Sequence, residues 1–139
     1  MTDENKDMRS DLDKKIGDIE TQTLAPAQVD IIRVEFKEVK KKDSGVKVGE
    51  KLILFVQHPD KKDQLIEISE CKVIDGDKVV LATLWKNLDD AGNIRKGSHL
   101  AKVMQFFGCK IVKDFEGKKG VQTVQKAENN KYLCIKAYN

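Results

Sequence analysis

The chain is poor in the residues that usually announce a function. Its 139 residues hold two prolines, three cysteines and two histidines. Cys71, Cys109 and Cys134 are odd in number and widely spaced, with no CxxC. This argues against a disulfide scaffold and predicts buried thiols in a reducing, intracellular setting, cytoplasmic or inside a host. With only His58 and His99, a zinc site would have to be assembled from distant residues, so neither a metal nor another cofactor is expected. No apolar run approaches the roughly 18–20 residues that cross a bilayer. The longest, Leu52-Ile53-Leu54-Phe55-Val56, is strand-sized. The opening Met1-Thr2-Asp3-Glu4-Asn5-Lys6 has neither a secretory nor a mitochondrial pattern, and no membrane partner is expected.

Catalytic motifs are also missing. There is no GxxxxGK(S/T), no GxGxxG after a strand, no HExxH and no GxSxG. A metal nuclease needs carboxylates converging on one ion, whereas Asp75, Asp77, Asp89 and Asp90 fall in turn signals, where Asx residues serve the backbone. His99 follows Ser98, a helix-cap candidate, and has no nucleophile beside it. His58-Pro59-Asp60 reads as a loop. The expectation is a protein that is not an enzyme.

What is present is charge. Charged residues make up 35% of the chain, and the net charge is +3. Residues 1–23 carry seven acidic and four basic side chains; residues 24–139 carry 22 basic and 16 acidic. A basic body behind an acidic segment suggests a polyanionic partner, although Lys/Glu richness alone suits solubility or a warm habitat. Within 1–23, Leu12, Ile16 and Ile19 stand at i, i+4 and i+7, which suits a short amphipathic helix; the sparse apolar content suits a mobile arm. Leu24-Ala25-Pro26-Ala27 marks the boundary, so 1–23 is read as an arm and 24–139 as the folded domain.

The body reads as mainly β. Val29 to Lys40 alternates, with Ile32, Val34 and Phe36 on one face. Lys40 to Gly49 is a Lys-rich connector, Lys51 to Gln57 a central strand, and His58 to Asp63 a loop. Leu65 to Ile74 needs a bulge between Ile68 and Cys71 to keep phase. Asp75-Gly76-Asp77 turns the chain into a strand from Val79 to Trp85. The period then changes. Ser98 caps a helix of about three turns, with Leu100, Val103, Met104 and Phe107 on one stripe and Gly108 at its C-terminal end. Ile111, Val112 and Phe115 suggest a helical turn. Val121 to Lys126 and Tyr132 to Tyr138 form a closing hairpin. Five or six strands with one helix before the last hairpin is the order of an OB-like small barrel; an open α+β sheet is the alternative.

In an OB fold, oligonucleotides are gripped by the first loop and the last. Here the first carries Lys40, Lys41, Lys42, Lys47 and Lys51, and the last Lys126 and Lys131, with Lys118 and Lys119 entering the penultimate strand. Such lysines neutralise phosphates, although they also suit solvated turns. Single strands further require stacking surfaces. Phe36, Phe55 and Phe107 have core phase. Trp85 shares a face with Val79 and Leu81, which suits the core as well as stacking. Tyr132, Lys136 and Tyr138 form a stripe that suits either bases or a sheet edge.

One stretch is more distinctive: Leu84-Trp85-Lys86-Asn87-Leu88-Asp89 through Gly92, Lys96-Gly97-Ser98-His99-Leu100-Ala101, Gly108, Gly117-Lys118, Thr123-Val124 and Tyr132-Leu133. It resembles a pattern in small, mostly uncharacterised proteins of archaea, their mobile elements and phages, and more loosely phage single-stranded-DNA-binding proteins. The resemblance spans roughly residues 25–138 and implies an OB-like fold with a role around DNA replication or repair. It brings no catalytic motif. Bacterial single-strand binders carry an acidic docking tail at the C-terminus, whereas the acidic segment here is N-terminal and 136–139 read Lys-Ala-Tyr-Asn. The expected function is binding of single-stranded DNA or RNA, DNA favoured, with the arm covering the basic groove or docking a protein. The alternatives are a protein-interaction subunit that touches no nucleic acid and a structural accessory protein of a virion or plasmid.

Overall fold

The computed structural model describes residues 24–127 and 130–139, apart from the side chains of Asn130 and Lys131. The expected arm, residues 1–23, therefore lies outside the described residues. Strands β1 (Gln28–Lys40) and β2 (Lys47–His58) form a long antiparallel hairpin. The alternation of β1 slips once. A bulge between Ile31 and Arg33 inserts an extra residue, so Val29 and Ile31 point into the core, Ile32 turns outward at 46% exposure, and the inward phase resumes at Val34 and Phe36. The inward reading of Ile32 is thus corrected by a bulge that periodicity does not reveal. Leu52 to Val56 are all buried, as a strand covered on both faces requires.

Two connectors are shorter than expected. β2 begins at Lys47, so the first loop is a tight turn over residues 41–46, closed by the Lys41 N–H donating to the Val46 carbonyl at 2.9 Å. Strand β3 (Lys61–Ile68) begins directly after Pro59-Asp60, and His58 is a fully buried strand residue rather than part of a loop. Its ring explains this. Nδ1 accepts from the Asp60 N–H at 3.0 Å, which leaves Nε2 as the protonated nitrogen, bonded to the Ala25 carbonyl at 2.8 Å. A neutral imidazole thereby pins residue 25 to the β2–β3 turn.

The predicted strand 65–74 is interrupted at Ser69, between β3 and β4 (Glu70–Asp75), where the bulge was expected. Ile68, Cys71 and Val73 all reach the core. Strand β5 (Lys78–Thr83) returns across Gly76-Asp77, with Gly76 at φ +68°, where an L side chain would be strained. Helix α1 (His99–Phe106) is eight residues, about two turns rather than three, because Phe107 is already its C-cap and Gly108 turns left-handed at φ +71°. Ser98 caps it, Oγ accepting from the Ala101 N–H at 3.2 Å. Leu100, Val103 and Met104 seal the core. A 3-10 turn (Val112–Phe115) buries Phe115 completely beside β1, while Ile111 stays outside. Strands β6 (Val121–Ala127) and β7 (Asn130–Ala137) close the chain.

The strands form one seven-stranded mixed sheet in the order β3-β2-β1-β6-β7-β4-β5. Among the described residues only the β4–β7 pair is parallel, with Cys71 opposite Ile135. β3 and β5 stand at its two ends. A single residue joins β3, at one end, to β4, next to the other, so the sheet curls strongly. Among the described residues the architecture is mainly β with one α-helix.

Candidate nucleic-acid interface

The sequence-selected residues fall into three groups. The first is the β1–β2 hairpin. Lys40, Lys41 and Lys42 are exposed at its tip and Lys47 on its return, but this region is laced with acid. Glu38 lies 3.4 Å from Lys40 and 3.9 Å from Lys47; Glu50 lies 3.1 Å from both Lys47 and Lys86. Hydrogen bonds from Lys47 and Lys86 hold the Glu50 carboxyl below its ordinary range. Trp85 joins this group through an antiparallel bridge to Lys51, with its indole over Gly49, where a Cβ would stand 3.4 Å from the ring. Trp85 does share a face with Val79 and Leu81, but that face points outward, not into the core: Trp85 is 39% exposed and the other two are 44% exposed. Ala82 and Leu84 hold the inward phase instead.

The second group surrounds the β6–β7 hairpin. Lys126 is bonded to Glu70 and stands 5.3 Å from the Tyr132 ring centre. Tyr132 is exposed. The side chain of Lys131 lies outside the described residues.

The third group combines Lys118, Lys119 and Lys136 with Tyr138. They line a concavity of about 320 Å³ whose other walls include Phe106, Phe107 and Val121. A second concavity adjoins it, sharing Phe106, Tyr138 and Asn139, and continues to Ile74 and Lys102. Together they make a groove. Phe106 stands edge-on to Phe107, ring centres 4.9 Å apart, and Lys136 lies 5.1 Å from the Tyr138 ring centre. Among the described residues no carboxylate stands within 4 Å of Lys118, Lys119 or Lys136, although Asp114 acts on Lys118 through space. Asp114 is itself occupied, accepting from the Lys110 and Ile111 N–H groups at 2.9 and 3.1 Å, which holds its carboxyl below the ordinary range.

The Tyr132-Lys136-Tyr138 stripe is therefore divided. Six residue steps along the chain, about 20 Å, separate the two tyrosines, and they line different concavities. Phe106 was not singled out from the sequence. The signal was there: the stripe Leu100, Val103, Met104, Phe107 leaves Phe106 off the buried face of a capped helix, an aromatic turned to solvent.

Cys71, Cys109 and Cys134 are buried free thiols. Burial pushes the Cys71 thiol up to about 12 and the Cys134 thiol up to about 11. No cluster of three His, Cys, Asp or Glu suited to a metal occurs among the described residues. Among these residues no helix is long and apolar enough to cross a membrane. The chain matches no family model, no curated protein and no solved structure.

Proposed function

We propose that this chain binds single-stranded nucleic acid, DNA in preference, without catalysis, in replication or repair. The observation that carries the reading is the groove of Lys118, Lys119 and Lys136 around Tyr138 and Phe106. Cations without a nearby counterion neutralise phosphates, and the two aromatic rings supply stacking faces that accept any base. The topology supports it. If β3 and β4 are counted as one strand bent at Ser69 and β5 is set aside, the ladders run β1-β2-β3/β4-β7-β6-β1, with the β4–β7 pair parallel, the order expected of an OB-like barrel. Leu84 adds to this reading, since its N–H donates to the Ser69 carbonyl at 2.9 Å and its carbonyl accepts from the Leu52 N–H at 2.8 Å, knitting β2 to the bend. The resemblance to small, mostly uncharacterised proteins of archaea, their mobile elements and phages, and more loosely to phage single-stranded-DNA-binding proteins, points the same way.

A fluorescence-anisotropy titration of a labelled oligo-dT of about 30 nucleotides, at low and moderate salt, tests the proposal. Binding that weakens steeply with salt supports it; no binding at low salt overturns it. A second reading has its own observation. Ile74, Val79, Leu81 and Trp85 form an exposed apolar face on the β4–β5 hairpin, as a protein-interaction subunit would present. In that case oligo-dT binding is absent, and Leu81→Lys abolishes capture of the partner.

A further inference from the structure

The sheet ends in β3 on one side and β5 on the other, and the two ends are built differently. β3 carries Lys61, Lys62, Asp63 and Glu67, the kind of charge with which an edge strand repels other strands. β5 reads Lys-Val-Val-Leu-Ala-Thr and carries one charge, Lys78, at its start. Among the described residues its only ladder partner is β4. The direction of its backbone groups follows from Leu84, whose N–H donates to the Ser69 carbonyl and whose carbonyl accepts from the Leu52 N–H. Both groups therefore point toward β4 and β2. Residues of an antiparallel strand alternate, so Ala82, Val80 and Lys78 bond to β4, while the N–H and carbonyl of Val79 and Leu81 point away from it. On that side no strand stands among the described residues. The side chains of Val79 and Leu81 are exposed. β5 is an apolar edge with little to repel a further strand.

We propose that a second copy of this chain pairs with β5 edge to edge, antiparallel about a twofold axis through Leu81. The occupant follows from the edge itself, which is self-complementary in one register. Like charges directly opposite one another destabilise a strand pair. An axis at Lys78 sets Lys78 against its own copy, and an axis at Ala82 sets Lys78 against Lys86. An axis at Val79 pairs only three residues of each β5. An axis at Val80 brings Asp77 opposite Thr83, whose β4 neighbour is Glu70, acid toward acid. The axis at Leu81 sets Leu81 beside the second copy's Leu81, Val79 beside the second copy's Thr83, and Trp85 beside the second copy's Asp77. Trp85 is bridged on its other side to Lys51. Asp77 and Lys51, neither in an ion pair among the described residues, then share one face across the indole. The twofold repeats this, so two acid–base contacts flank an apolar centre. One strand edge buries less than the roughly 1,200–2,000 Å² of a stable complex, so the dimer forms and separates with concentration. The inference rests on neither reading of function: oligo-dT binding, or its absence, leaves it untouched.

The test uses the full-length chain carrying Leu81→Cys under mild oxidation, the three native cysteines being buried. Residues opposed at such an axis have Cα atoms about 5.5 Å apart, within reach of a disulfide. The expected result is a covalent dimer of Leu81→Cys, and another when Val79→Cys is mixed with Thr83→Cys. Val79→Cys alone should not crosslink, since its two copies stand roughly 14 Å apart. Absence of the Leu81→Cys dimer, or equal crosslinking by Val79→Cys alone, overturns the proposal. Sedimentation of the uncrosslinked chain gives a second measurement. The average mass should rise with concentration toward that of a dimer, and Leu81→Lys should hold it at the monomer. Asp77→Lys should weaken the dimer several-fold, and Asp77→Lys with Lys51→Asp should restore it. A wild-type mass that stays monomeric into the millimolar range, or one that rises equally in Leu81→Lys, overturns the second copy as occupant.

Discussion

The β1–β2 hairpin and the groove beside α1 are both rich in lysine, yet they present different fields. On the hairpin, Glu38 and Glu50 stand among the lysines, and each carboxylate touches two of them. In the groove, Lys118, Lys119 and Lys136 have aromatic neighbours and no carboxylate at ion-pair distance among the described residues. A phosphate approaching Lys40 or Lys47 must displace a carboxylate, and Lys41 and Lys42, without an ion pair among the described residues, have no aromatic ring beside them, whereas the groove sets lysines without an ion pair against Tyr138 and Phe106. Counting lysines in a sequence does not separate the two cases; the positions of the acids and of the rings do.

The sharpest way to break this comparison is charge reversal. Lys118→Glu, Lys119→Glu and Lys136→Glu together should lower oligo-dT affinity at least a hundredfold. Replacement of the three by Gln should flatten the salt dependence by about 0.7 per lost contact in a log–log plot. Lys41→Gln, Lys42→Gln and Lys47→Gln should change both far less. An equal or larger loss from the hairpin triple would reverse the assignment. Next in size is stacking. Tyr138→Ala and Phe106→Ala should each weaken binding by about 1–3 kcal/mol, and Trp85→Ala by less, as read by the same titration. A smaller effect sharpens the contrast from the other side: Glu38→Gln with Glu50→Gln frees Lys40, Lys47 and Lys86 and should raise affinity severalfold at low salt only.

The sequence was most legible where one local rule decided the outcome. The Ser98 cap, the Gly108 terminus, the Gly76 turn and the break near Ser69 all follow from a few adjacent residues. It was least legible where distant contacts intervened. Ile32 sits outward because of a bulge set by its pairing with β2. His58 is buried because Ala25, 33 residues away, supplies a carbonyl. Trp85 was placed on the correct face, but which side of β5 meets the core depends on what packs behind it. For the candidate site, the lysines read from the sequence fall into separate groups only in the fold, since neither the acids facing Lys47 and Lys126 nor the concavity that Phe106 shares with Tyr138 is local in sequence.

The smallest expected effect concerns pH, and it follows from the same division. The Glu50 carboxyl is held below its ordinary range, first by the hydrogen bonds from Lys47 and Lys86. A depressed carboxyl pKa means that the ion pairs persist above the ordinary carboxylate range and are lost only as pH falls through the lowered value. Between pH 7 and 5 Glu50 therefore keeps its charge and Lys47 and Lys86 stay engaged. Oligo-dT affinity at fixed ionic strength should be flat across that interval in the wild-type chain. Only in more acid solution should the hairpin begin to contribute, and the Glu50→Gln variant should lack that acid-side gain. A rise in affinity between pH 7 and 5 that Glu50→Gln abolishes would show hairpin lysines already in play near neutrality, and the distinction between the two lysine regions would not hold.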